Sequence, residues 1–182
     1  MKKITVLSAL LSLIFSSCDP GNRTKNIPAV KDFDLSRYMG VWYEIARYPH
    51  GFEKGMSHVS AEYTLESNGR VKVINKGIRD GRERKITGIA RQRQPGSGEL
   101  EVSFFRPFYG AYRIIYLSPG YDFAIVTSSS KKYLWLLSRT PEVSEETKTF
   151  FLQWIQLHGF SPENLIRVDQ HPRETFSSEG KE

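Results

Sequence analysis

From Gly40 onward, apolar and polar residues alternate in blocks separated by turn formers. Ser57 to Leu65 sets Val59, Ala61, Tyr63 and Leu65 against His58, Ser60, Glu62 and Thr64. That period of two marks a strand with one buried face. Ser67-Asn68-Gly69 and Asp80-Gly81 are hairpin turns, because asparagine, aspartate and glycine accept the positive φ that tight hairpins need. Gly40–Tyr48, Arg70–Ile78, Glu83–Gln92, Glu99–Phe105, Ala111–Leu117, Asp122–Thr127 and Tyr133–Ser138 bring the expected strands to eight. A strand about every ten residues with short connections predicts an all-β sandwich or up-and-down barrel. The period then changes. Thr147, Phe150, Phe151, Trp154, Ile155 and Leu157 recur at helical spacing behind Ser144, a good N-cap, and His158-Gly159 ends the run. The apolar stripe of this helix needs a surface to cover, most simply the outside of the barrel. Asn164–Asp169 reads as a short last strand, and the residues after Gln170 as a loose tail.

The chain begins differently. Lys2 and Lys3 precede the short apolar run Ile4–Phe15, then Ser16, Ser17 and Cys18. A basic head, an apolar stretch too short to span comfortably and small residues at a cut site form an export signal over residues 1–17. Cys18 is the only cysteine, so a disulfide framework is excluded. Its position resembles that of a bacterial lipoprotein signal, which implies cleavage before Cys18 and lipid on its new N-terminus. Phe15 stands where leucine is usual. Asp19, next after the cysteine, leaves the choice between inner and outer membrane open. Residues 18–31 read as a lipidated start and polar tether, 32–170 as one domain, and 171–182 as a tail.

Removing residues 1–17 leaves 165 residues, a length that suits one domain with a real core. Without Lys2 and Lys3 the chain keeps 24 cations against 20 acids. Part of the excess lies in Arg79, Arg82, Arg84, Lys85, Arg91 and Arg93. The export signal argues against nucleic acid as a partner, which leaves a solvated strand face attracted to anionic lipid head groups.

Gly40-Val41-Trp42 opens the first strand with a glycine and a large indole that can plug one end of a small barrel. Arg37–Arg47 resembles the first motif of the lipocalins. Gly120-Tyr121-Asp122-Phe123-Ala124 resembles the second, and Leu134–Pro141, with Arg139 as its key residue, the third. Val73–Gly77 and Val102–Gly110 look like the bacterial outer-membrane lipoprotein branch, the Blc type, which is close to apolipoprotein D. The resemblance spans roughly residues 30–170.

It implies an eight-stranded antiparallel up-and-down barrel with one C-terminal helix packed outside. It also implies a closed end built from Gly40, Trp42, Asp122 and Arg139, with the arginine lying on the indole face. If Arg139 points inward, alternation puts Leu137 and Trp135 inside as well, and Leu134 and Leu136 outside toward the helix. The same logic places Val59, Tyr63, Val102, Phe104, Tyr112 and Ile114 inside. These eight inward residues make an apolar, aromatic cavity suited to a fatty acid or lysophospholipid. Tyr48, His50, Phe52, Arg106, Phe108 and Tyr109 are expected on loops at the mouth. The implied protein is a lipid-anchored carrier or store in the bacterial envelope, at the outer membrane facing the periplasm, with a homodimer as the family's associated state. Two rivals remain: a structural lipoprotein whose barrel is filled, and a lipocalin-type enzyme. The thiol route of the enzyme needs a cysteine in the barrel, and Cys18 stands outside it. His50, His58, His158 and His171 lack metal-ligand spacing, so no metal or cofactor is expected.

Overall fold

The computed structural model describes residues 23–171. The expected signal segment, Cys18 and the tail from residue 172 lie outside them. A short helix, α1 (Leu35–Tyr38), leads into β1 (Gly40–Arg47), β2 (Ser57–Leu65), β3 (Val71–Arg79), β4 (Arg82–Gln92), β5 (Glu99–Phe105), β6 (Phe108–Leu117), β7 (Phe123–Thr127) and β8 (Leu134–Ser138). Helix α2 (Glu145–Leu157) and the two-residue β9 (Ile166–Arg167) follow. All the pairings are antiparallel. β1 pairs with β2 (Trp42 opposite Ala61) and with β8 (Glu44 opposite Leu137), so the sheet closes into a barrel. Closure removes the free edges that would otherwise template aggregation. β9 adds outside the ring, against Ala46 and Arg47.

Alternation sorts the core into two layers. Trp42, Tyr63, Val71, Val73, Ala90, Leu100, Ile114, Val126 and Leu137 fill the barrel. Ile45, Ile115, Ile125, Leu134 and Leu136 face outward and meet Phe151 and Ile155 of α2. This explains why β8 is apolar at consecutive positions: one face lines the barrel and the other seats the helix. The Ser144 hydroxyl caps α2 by accepting from the Thr147 amide.

Residues 23–31 correct one expectation. Instead of a free tether, they form a strap down the outside of the barrel. Thr24 is fully buried and Ile27 nearly so. Arg113 donates to the carbonyls of Thr24 and Ile27 at 2.6 and 2.7 Å. The Val30 amide donates to the Ile114 carbonyl at 2.9 Å, and Phe33 bridges Gly96. Arg113 of the barrel wall thus satisfies backbone carbonyls of the strap, and the Thr24 hydroxyl donates to the Ser128 carbonyl at 2.6 Å.

The closed end is locked at one point. The Arg139 guanidinium lies 4.0 Å from the Trp42 ring centroid. It donates to the carbonyls of Val41 (3.0 Å), Arg37 (2.8 Å) and Tyr121 (3.2 Å). Trp42 is fully buried, its Nε1 donates to the Tyr38 carbonyl at 2.8 Å, and Tyr38 stacks on it at 4.6 Å. Gly40 has φ +93°, and a Cβ there would lie 3.3 Å from the Arg139 Nη1, so both its backbone and its space favour glycine. The Asp122 carbonyl accepts from the Arg139 amide at 2.8 Å. Burial pulls the Arg139 pKa down, while Tyr38 and Asp122 oppose that shift. Arg139→Ala should cost about 2–3 kcal/mol, from a cation–π contact and charged hydrogen bonds to three carbonyls. Arg139→Lys should recover only part of this, because an ammonium cannot reproduce the planar fork. Urea midpoints measure both. Equal stability of the three chains would remove Arg139 from the account of closure.

Candidate ligand site inside the barrel

The strands run so that β1 leaves the closed end at Gly40 and reaches the opposite, open end at Arg47. Side chains from every strand converge between these ends. Near the floor, Tyr38, Trp42, Val71 and Leu100 are sealed, and so are Ile114 and Val126 further up, each at most 1% exposed. Higher up, Val102, Phe104, Tyr112 and Trp135 pack against this cluster yet stay only partly buried. The interior is therefore tightly sealed at Trp42 and Tyr38 and incompletely buried around these four side chains.

Of the eight residues expected inside, Tyr63, Val102, Phe104, Tyr112, Ile114, Trp135 and Leu137 belong to the interior cluster. Val59 is buried too but stands apart from that cluster, over Gly77, where a Cβ would come within 3.1 Å of it. Val59 lies within the bulge between Ser57 and Ser60 of β2. Ile114 and Leu137 are part of the sealed packing.

The mouth differs from expectation. Tyr48 is buried on the outer wall: its ring packs edge-on against Phe160, and its hydroxyl donates to the Ser161 carbonyl at 2.9 Å. Phe108 and Tyr109 are not loop residues but begin β6, and Arg91 lies over the Tyr109 ring. His50 is turned inward, stacked on Phe52 at 3.9 Å and tilted against Trp135. Phe52, Phe105 and Phe108 stay exposed at the rim.

Two polar groups escaped sequence reasoning. In the first, three tyrosine hydroxyls form a chain at mid-depth. Tyr63 donates to Tyr112 at 3.0 Å, and the Tyr112 and Tyr38 hydroxyls lie 2.7 Å apart. Burial pushes all three pKa values up, that of Tyr63 to about 12, so the hydroxyls stay protonated. In the second, Arg47 donates to Glu44 Oε1 at 2.7 Å and to the carbonyls of Glu53 and Met56 at 2.7 and 3.2 Å. Glu53 Oε2 accepts from Trp135 Nε1 at 3.3 Å. His50 Nε2 approaches the same oxygen at 2.9 Å, within ion-pair reach but off the line of a hydrogen bond. Arg47 thus ties the short helical turn Gly51–Glu53 down over one side of the mouth. Alternation from Trp42 does point Glu44 inward. The bulge between Glu44 and Ala46, which carries Arg47 inward too, leaves no mark in the sequence. Among the described residues, no three His, Cys, Asp or Glu side chains are grouped to hold a metal. A depression of about 350 Å³ at the closed end, lined by Lys31, Asp32 and Phe33, is open to solvent and separate in character from the aromatic interior.

Fold and site together define a class: small closed barrels that take an apolar guest at one end and are plugged at the other. Residues 33–170 match the lipocalin-like domain family. The chain belongs to the lipocalins. It is 40% identical over 174 residues to the outer membrane lipoprotein Blc of Citrobacter freundii, an alignment that covers 93% of this chain and 98% of the relative. It is 32% identical over 152 residues to mouse apolipoprotein D, covering 79% of this chain and 80% of that one. Insecticyanin from the tobacco hornworm Manduca sexta superposes with a TM-score of 0.65 at 22% identity, over 79% of this chain and 84% of its own, a likeness of fold alone.

Burial, then the nearby Glu53 charge, raises the Glu44 pKa well above its ordinary value, and Arg47 only partly opposes this. A raised carboxyl pKa stabilises the folded state at acid pH, and that contribution fades as pH rises through the folded value. Glu44→Gln cannot ionise and should flatten this decline. Denaturation midpoints taken from the ordinary carboxylate range upward test the sign, and parallel curves for the two chains would contradict it.

Proposed function

We propose that the protein holds one fatty acid or lysophospholipid in its barrel and carries or stores it in the envelope under stress. It is a hydrophobic-ligand binder rather than an enzyme. Its Blc relatives are named outer membrane lipoproteins, and an outer-membrane location in the bacterial envelope, lipid-anchored, follows from them. We assign the anchor to Cys18, the only cysteine, directly behind the export signal. One acyl chain binds a membrane only marginally and two or more bind it stably, so a triacylated Cys18 would keep the protein attached.

The observation that supports the ligand is the incomplete burial of the apolar interior: Val102, Phe104, Tyr112 and Trp135 pack against the interior cluster yet stay only partly buried. An acyl chain there gains about 0.8 kcal/mol per buried methylene. The Arg47, Glu53 and His50 group near the mouth suits a polar head. Trp42 is sealed and Trp154 belongs to α2, outside the barrel, so Trp135 is the natural reporter. Titration with a lysophospholipid and a fatty acid of equal chain length should change its fluorescence saturably. The change should be lost in Trp135→Phe, and binding itself in Val102→Trp, which fills the space. A tenfold preference between the ligands, about 1.4 kcal/mol, would show that the head is read. A folded chain that binds neither lipid would favour the filled-barrel reading.

A further inference from the structure

The strap does more than close the wall: it fixes where the chain enters the barrel. The Thr24 amide donates to the Ser129 carbonyl at 3.3 Å and its hydroxyl to the Ser128 carbonyl at 2.6 Å, and Arg23 bridges Ser130. These partners lie in the β7–β8 connection, at the open end. The strap then descends to Phe33 and Gly96 at the closed end. Five chain steps separate Cys18 from Arg23 and span at most about 18 Å. The strap runs beside β6, whose ten residues span roughly 33 Å, so the open rim is within reach of a lipid on Cys18 and the closed one is not.

Charge has the same polarity. The open-end segments 48–56, 79–85, 105–108 and 128–133 hold Lys54, Arg79, Arg82, Arg84, Lys85, Arg106, Lys131 and Lys132, against Glu53, Asp80 and Glu83. The closed-end connections 66–70, 93–98, 118–122 and 139–144 balance Arg70, Arg93 and Arg139 with Glu66, Asp122 and Glu142. β4 pairs with β5 only over Ile89–Gln92, so the basic β3–β4 hairpin projects beyond its neighbour. Apolar groups share the rim: Phe52 is 45% exposed, Phe105 42% and Phe108 41%. Aromatic rings suit the bilayer interface, and cations close to it are drawn to anionic head groups.

We propose that the open mouth is the membrane-facing end, its basic and aromatic rim resting on the anionic phospholipid surface that holds the anchor. The proposal rests on acylation of Cys18. It lets a lipid pass between bilayer and barrel without crossing open water.

The test uses the full chain, isolated from cell membranes and reconstituted in vesicles of phosphatidylethanolamine and phosphatidylglycerol. With Cys18 acylated, an introduced cysteine is the only free thiol. Glu83→Cys places it on the projecting hairpin, across the mouth from the strap, and Ser67→Cys places it at the closed end. Each carries an environment-sensitive dye, and doxyl-labelled phospholipid serves as quencher. The expected result is a blue shift and quenching at residue 83 and neither at residue 67. The shift should be lost in uncharged vesicles and in the Arg82→Ser, Arg84→Ser, Lys85→Ser chain. The mass of the N-terminal peptide reports acylation separately. Acylated Cys18 with equal signals at both positions, or a stronger one at residue 67, overturns the orientation alone. A bare Cys18 overturns the anchor and the orientation with it.

Discussion

A β-barrel binds a guest only if one end is shut, and here a single side chain does most of the shutting. Arg139 follows the last barrel strand and reaches over the indole of the first. Its nitrogens tie down the carbonyls of Arg37 in α1, Val41 in β1 and Tyr121 in the β6–β7 connection. These carbonyls lie at the ends of elements, where backbone groups otherwise lack partners. The same contact that closes the ring therefore satisfies its ends. Trp42 can then be fully buried, Tyr38 can stack beneath it, and the floor becomes dry.

Above that floor the interior becomes more polar toward the mouth. The sealed packing around Trp42 gives way, through the neutral tyrosine chain that starts at Tyr38, to an arginine shared between two glutamates, then to exposed aromatics and cations. Burying charges is costly unless each is paired. Here the pairing also ties the β1–β2 connection to the strand below it, through Arg47 and the carbonyls of Glu53 and Met56. An amphiphile laid tail-down would find matching surroundings along its length.

Much of this was legible in the sequence because strands have a period of two. Leu134 and Leu136 against Trp135 and Leu137 could be assigned to opposite faces once Arg139 was placed, and the structure divides them that way. Turn chemistry at Asn68-Gly69 and Asp80-Gly81 set the hairpins. What escaped has local, physical causes. The bulge between Glu44 and Ala46 shifts the phase, so Arg47 turns inward where alternation would put it outside. The strap looked like a linker because its composition is polar. Its order comes from Arg113, 89 residues away in sequence from Thr24. Tyr48 read as a mouth residue because it ends β1, yet its partner Ser161 arrives only after the last helix. Long-range polar partnerships leave little trace in local pattern.

The proposed lipid in the open half of the barrel is open to direct observation. Native mass spectrometry of the protein taken from its own membrane tests this most directly. The expected spectrum shows one further mass of a fatty acid or lysophospholipid on each barrel, beyond any lipid fixed to Cys18, and lacks it in the Val102→Trp chain. A folded barrel that leaves the membrane carrying only its covalent lipid would contradict it.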